Sequence, residues 1–251
     1  MSSAISTQLL IAGLSILLLG VGGLRTPWNK SRLVLLFLMI LFVDNLVIIL
    51  TNDMDQLQII PNHIWGGFLL CVWSGKLYSI VLMLGLAYLL RNILTRAGIG
   101  LRVRQAAGSI WPSLAVITIL TAWSLWIGFN SPKGPFDIET LFYLVTMPGL
   151  NEELTYRGLL LGIANKLFPG RWKLFGAELG WGVVVSAVVF GLLHGVWIDG
   201  GTGLQVNLVA LRNATFSGLV FAWLRERTGS LLMPILAHGV EDVFLFAPRM
   251  M

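Results

Sequence analysis

The chain has 251 residues, of which 56% are hydrophobic and only 12% charged, against roughly 25% charged in a soluble domain. With a mean hydropathy of +0.82, this excludes a soluble domain with one anchor and calls for an integral membrane protein. The net charge of +5 would suggest nucleic acid in a soluble protein. Here the basic residues stand in short loops, where they set topology, so no nucleic-acid partner is expected.

A hydrocarbon core of roughly 30 Å takes about 20 apolar residues in a helix. The first predicted element, 5–24, lacks a basic n-region and is long for a signal segment, so it reads as a first transmembrane helix. In chain order follow 33–50, 64–90, 110–129, 139–168, 179–198, 204–224 and 231–247, separated by the turn signals "RTPWNK", "NDMDQ", "NSPKGP", "FPGRWK", "DGGTG" and "RERTGS". Internal repeats, low-complexity tracts and a soluble domain are not seen. The expectation is an all-α, polytopic membrane helix bundle of about eight transmembrane helices. It forms one membrane domain over 1–251, with four helices without motifs in 1–130 and a polar core in 139–247. Cys71 is the single cysteine, so neither an intramolecular disulfide nor a cysteine metal cluster can form.

The loops alternate in charge. Arg25, Lys30 and Arg32 follow the first segment; Arg91, Arg96, Arg102 and Arg104 the third; Lys166, Arg171 and Lys173 the fifth; Arg225 and Arg227 the seventh. The intervening loops hold Asp53 and Asp55, then Lys133 with Asp137, then Asp199. The basic loops share a side only if all eight segments span, and the positive-inside rule then places both termini outside.

Ionisable groups within a membrane helix cost about 2.5–3.5 kcal/mol each on insertion scales and need partners or a polar cavity. Asp44 and Lys76 lie at similar depths on the second and third helices, and an ion pair between them accounts for both. His63 reads as a solvated residue of an outer loop. The remaining groups fall in the last four helices. In "NEELTYRG", Glu153 and Arg157 are four apart and share a helix face, whereas Glu152 points about 100° away. One carboxylate therefore has a local counter-charge and the other has none. "FGLLHG" contributes His194, and "LAHGVED" contributes His238 and Asp242, again four apart. Any one of these has a bland reading as a buried ion pair or a core hydrogen bond. Counted from the helix ends at 1.5 Å per residue, however, they reach one level of the bilayer to within roughly 10 Å. A glutamate pair, two histidines and an aspartate at one depth suit acid–base chemistry.

No hydroxyl or thiol stands with a base in a motif: Ser186 and Ser217 lack a motif around them and Cys71 is on another helix. Water is then the natural nucleophile, activated by a desolvated glutamate and held by a histidine, while a second histidine with a polar neighbour stabilises an oxyanion. A metal held by His194, His238 and a carboxylate is the alternative route to activated water, although the H-E-x-x-H pattern is absent.

"EELTYR", "FGLLH" and "HGVED" resemble, in order and spacing, the EExxxR, FxxxH and HxxxN/D motifs of the CAAX protease and bacteriocin-processing (CPBP or ABI) family. The resemblance spans roughly 139–247, with Gly229 opening the last helix. It implies an eight-helix intramembrane glutamate-type endopeptidase similar to the CAAX prenyl endopeptidase. Carried over, Glu152 and His194 activate water, His238 and Asp242 form the oxyanion hole, and Glu153 and Arg157 support. Neither a metal nor another cofactor is required. The expected partners are a peptide or protein substrate at the membrane and the lipid bilayer, and nothing in the sequence indicates an oligomeric state. Asp242 departs from the asparagine of prenyl endopeptidases. An ionised aspartate donates no hydrogen bond, so it is either protonated or orients His238, and prenylated substrates are less clearly implied. Arg212, mid-helix, is a candidate partner for Glu153 or Glu241. The compact chain with its short loops, and motifs of bacterial type, point to a bacterial inner membrane. The competing readings are a non-catalytic scaffold or bacteriocin-immunity protein of the same fold, and a transporter with an ion relay, for which Pro148 offers a helix break but no repeat follows.

Overall fold

In lipid, backbone polar groups must pair within the segment, so long apolar runs become helices. The computed structural model describes residues 2–22, 30–62 and 71–251. Arg25, His63 and the segment ends 23–24 and 64–70 lie outside these. The first half holds α1 (Ser2–Gly22), α2 (Ser31–Asp53), α3 (Trp73–Leu89), a short α4 (Arg96–Ile99) and α5 (Ile110–Phe129). The second holds α6 (Ile138–Glu152), a π-helical stretch (Glu153–Leu160) and α7 (Leu161–Leu167), which run on as one rod. After them come β1 (Arg171–Leu174), β2 (Ala177–Gly180), α8 (Trp181–Gly195), β3 (Val196–Asp199), β4 (Gly203–Val206), α9 (Leu208–Thr228) and α10 (Leu232–Phe246).

The molecule is an all-α membrane helix bundle. Four of the described helices are long and apolar enough to cross a membrane: Ser3–Gly20 of α1, α2, α3 with its continuation to Asn92, and α5. The others are shorter, as in the 15 residues of α8, or carry charge. The spans expected at 179–198 and 204–224 are trimmed because their ends pair as antiparallel hairpins, β1 with β2 and β3 with β4. The second hairpin is turned by Asp199, whose Oδ1 accepts from the amides of Gly201 and Thr202.

The alternation of loops has a structural counterpart. Lys30 Nζ donates to Leu167 O, Arg225 Nη2 to Gly98 O, Arg227 Nη2 to Gly108 O and, joining the two sets, Asn165 Nδ2 to Glu226 Oε1, so the four basic connections meet at one end of the bundle. Pro148 does not break its helix. The rod continues and widens into the π stretch five residues later, a device often found at functional sites. That stretch is the centre of the core: Leu159 and Leu160 are fully buried among Ile11, Phe37, Met83, Val189 and Phe190. α6 and α10 cross at two glycines. A Cβ on Gly239 would sit 2.6 Å from Val145 O, and one on Gly149 2.9 Å from Ile235 O. Small residues at such a crossing let two backbones touch.

Candidate active site

Each candidate side chain is placed by a helix. α6 begins at Asp137, which caps it by accepting from the Thr140 amide at 3.1 Å, and ends at Glu152. Glu153 opens the π stretch, so the two neighbouring carboxylates leave the rod where its geometry changes. His194 stands in the last turn of α8. The hairpin that follows is closed back on it by Asn207 N donating to Gly195 O at 2.8 Å. His238 and Asp242 are successive turns of α10, held against α6 by the glycine crossing.

These groups converge. Glu152 Oε2 lies 3.8 Å from His194 Nε2 and 3.8 Å from His238 Nε2, and it has no hydrogen-bond partner. His238 Nε2 lies 3.6 Å from Asp242 Oδ2. The other ring nitrogens are tied: His194 Nδ1 to Phe190 O and His238 Nδ1 to Glu153 Oε1, both at 2.8 Å. A ring nitrogen beside a carbonyl or carboxylate oxygen carries the proton, so both Nδ1 atoms donate and both Nε2 atoms face the shared space. Glu153 also accepts from Arg157 Nη1 at 3.0 Å, both side chains fully buried. The guanidinium lies 4.2 Å over the Phe190 ring and 5.1 Å from that of Phe221. Phe221 stacks on His238 at 4.9 Å.

His194 and His238 open onto a cavity that Glu152 itself does not line. This cavity of about 570 Å³ is lined by Phe190, His194, Ser217, His238, Glu241 and Asp242, with Arg249 on its wall, and the His194 side chain is 42% exposed. An apolar groove of about 460 Å³ between α5 and α9 adjoins it, the two sharing Trp123 and Asn213. Among the described residues, no group of three or more His, Cys, Asp or Glu side chains is arranged to hold a metal ion.

Two expected pairings are corrected. Asp44 and Lys76 do not form an ion pair. The buried Asp44 carboxylate accepts from Ser79 Oγ, Asn151 Nδ2 and Thr155 Oγ1, whereas Lys76 Nζ reaches Glu152 Oε1 at 2.7 Å. α3 packs on α6 as well as on α2, and a cation gains more from a charged carboxylate left without a local partner than from one already held by neutral donors. Glu152 thus has a counter-charge after all, from a helix that sequence reasoning left outside the site. Arg212 meets neither Glu153 nor Glu241. It faces the apolar groove and donates to Asn213 Oδ1 at 3.1 and 3.2 Å. Glu241 accepts instead from Ser217 Oγ at 2.5 Å, and Ser186 Oγ donates to Tyr156 O at 3.0 Å.

With this geometry in view, residues 133–244 match the family described as type II CAAX prenyl endopeptidase Rce1-like. Those residues resemble the Rce1-like family over somewhat less than half of the chain. An Escherichia coli protein described as an uncharacterized 24.3 kDa protein is 26% identical over 110 residues, 44% of this chain and 44% of its own length. The chain therefore spans less than half of that curated relative. No solved structure matches.

The Rce1-like family is a protease family. Its match takes in all six sequence-predicted site residues: Glu152, Glu153, Arg157, His194, His238 and Asp242. It excludes Lys76 and Asp44, which reach the Rce1-like region from α3 and α2. The expected segment 64–90 set Lys76 mid-helix; the structure begins α3 at Trp73 and so puts Lys76 in its first turn, where the helix dipole disfavours a cation and an anionic neighbour is needed.

Proposed function

We propose that the protein is an intramembrane glutamate-type endopeptidase that hydrolyses a peptide bond of a membrane-associated peptide or protein with activated water. The observation that carries this reading is the unpartnered Glu152 Oε2 facing His194 Nε2 and His238 Nε2 at 3.8 Å each. Such a separation is too long for a direct hydrogen bond and suits a bridging water. Glu152 takes the proton of that water as it attacks the scissile carbonyl, and later passes it to the leaving amine. His194 is held with Nδ1–H on the Phe190 carbonyl and accepts the water's other proton in a hydrogen bond through Nε2. His238, protonated on both nitrogens with its charge offset by Glu153 and oriented by Asp242, donates through Nε2–H to the oxyanion. Arg157 holds Glu153 in place. The apolar groove beside the cavity suits the apolar part of a substrate lying in the bilayer.

No step runs through a metal or another cofactor. Cleavage that persists in a chelator supports this, and cleavage lost to a chelator and restored by zinc overturns it. We read the site as lying in a bacterial inner membrane, a reading supported by the compact chain with short loops and the type of its motifs, with both termini outside, supported by the basic connections under the positive-inside rule.

The deciding experiment compares protein termini in membrane fractions from cells making the wild type and cells making Glu152→Gln at equal abundance. The neutral isostere keeps the volume and removes the base. A terminus present with the wild type and missing with Glu152→Gln is the expected result. A wild-type-dependent terminus that persists in Glu152→Gln would sink the glutamate mechanism.

A further inference from the structure

We infer that Lys76, from the motif-free half of the chain, is a positioning residue that keeps Glu152 ionised and determines which of its oxygens does chemistry. This rests on the reading of Glu152 as the base. Lys76 Nζ holds Oε1 at 2.7 Å, and the opposite oxygen is the one left without a partner between the two imidazoles. Both side chains are largely out of solvent, at 9% and 15% exposure. A buried carboxylate without a counter-charge takes up a proton rather than stay charged in a low dielectric, and a protonated Glu152 is no base. Arg157 cannot serve, because its contact goes to Glu153, and the protonated His238 lies 3.8 Å from the other oxygen with Glu153 and Asp242 already offsetting its charge. Asp44 makes no ion-pair contact with the ammonium, and its Oδ1 takes three neutral donors instead.

The choice of lysine also matters. An ammonium is a compact point charge and touches one oxygen, whereas a guanidinium fork grips both oxygens of a carboxylate. The single contact leaves Oε2 available. The geometry of α3 delivers it: Trp73, one turn earlier, donates from Nε1 to Glu139 Oε1 at 3.1 Å and packs edge-on against Tyr143 at 5.1 Å. The start of α3 is therefore pinned along α6, and Lys76 has a fixed place from which to reach Glu152.

The test uses the full-length protein in detergent or liposomes and the apolar reagent dicyclohexylcarbodiimide, which forms a stable adduct with protonated carboxyls and spares carboxylates. Labelling of Glu152 at neutral pH is read by peptide mass spectrometry. The wild type should stay unlabelled there. Lys76→Met should label at least tenfold more, and Lys76→Arg should remain unlabelled, because it keeps the charge. With the substrate identified by terminus comparison, Lys76→Met should lose about 10²-fold or more in kcat with KM within about twofold, a split that simple misfolding does not give. A Lys76→Met protein that stays unlabelled, or that keeps wild-type kcat, overturns the inference. Where Lys76→Met does not fold, carbon–nitrogen recoupling by solid-state NMR on the wild type decides: a Glu152 Cδ–Lys76 Nζ contact supports the pairing and its absence overturns it. The failures are distinguishable. Active Glu152→Gln removes the proposed mechanism, whereas inactive Glu152→Gln with unlabelled, active Lys76→Met removes the Lys76 assignment alone.

Discussion

Replacing Arg157 by methionine keeps most of the side-chain volume and deletes the charge at a fully buried ion pair. The structure sets the magnitude. Arg157 and Glu153 are both fully buried and meet at 3.0 Å, and removing one partner of a buried pair costs about 3–5 kcal/mol because the other is left uncompensated. Loss of the stacking over Phe190 and Phe221 adds about 0.5–2 kcal/mol. Taking the pair alone, and about 2–4 °C per kcal/mol for a chain of this size, the midpoint should fall by about 6–20 °C. Cys71 supplies the assay: it is the single cysteine and is buried, so a thiol-reactive fluorogenic dye reports unfolding on heating. The double variant Glu153→Gln/Arg157→Met should lose at least about 1 kcal/mol less than the sum of the single variants, because residues that share a contact couple and glutamine still accepts from His238 Nδ1. A drop under 2 °C for Arg157→Met, or strict additivity, would refute the reasoning.

The glycine crossing gives a second test. Gly239→Ala places a methyl 2.6 Å from Val145 O and should destabilise by about 1–3 kcal/mol as overpacking does while impairing cleavage. Gly13→Ala on α1, which meets nothing within 4 Å, should be neutral or slightly stabilising. At the oxyanion side, Asp242→Asn should keep cleavage within about tenfold of wild type and Asp242→Ala should lose about 10²–10³-fold; equal losses in both would show that the carboxylate itself is required. Outside the membrane, the Asp199 carboxyl is held below its ordinary value by hydrogen bonds from the Thr202 hydroxyl and the Gly201 and Thr202 amides. Its support of the β3–β4 turn is therefore complete above the unfolded value of about 3.9 and is lost as pH falls through the depressed value. A carbon-13 titration of Asp199 with a midpoint at or above 3.9 would contradict this.

What the sequence made legible follows from what spacing can measure. Positions four apart define a face and residue counts define a depth, so Glu153 with Arg157, His238 with Asp242, and the common level of Glu152, His194 and His238 could all be read before any helix was packed. Spacing carries no information about which helices are neighbours. Lys76 and Asp44 match in depth, and α3 does lie beside α2, yet α3 also touches α6, and the partner is decided there. Arg212 fails for the same reason: its depth suited Glu153 or Glu241, but its azimuth turns it into the groove against α5. The π stretch has no compositional mark in "ELTYRGLL". The β3–β4 turn was visible as "DGGTG", whereas β1–β2 turns at Phe175–Gly176, beyond "FPGRWK", and four-residue strands at helix ends carry too short an alternation to tell from the helix they interrupt.

The contrast between the two glutamates favours a working site over an ion pair kept for structure. If the polar cluster served packing alone, desolvation would favour closing every acceptor and shutting the cavity, since an unpaired buried oxygen costs about 1–3 kcal/mol or more. Glu153 comes close to that pattern: its Oε1 takes both Arg157 and His238, and the side chain is wholly enclosed. Its second oxygen is unpartnered too, but it has no route to a substrate. Glu152, one residue earlier, is arranged differently. One oxygen is neutralised by a lysine from a helix that bears no motif, the other is held open toward two imidazole nitrogens, and one of those rings is 42% exposed. A scaffold gains nothing from that asymmetry, and a transporter relay would need a continuing chain of acceptors across the bundle. The proposed hydrolysis calls for a charged base with one free oxygen, a histidine lone pair beside it and room for a peptide; Glu152 has the counter-charge and the facing imidazoles, and the cavity lies on the far side of those imidazoles.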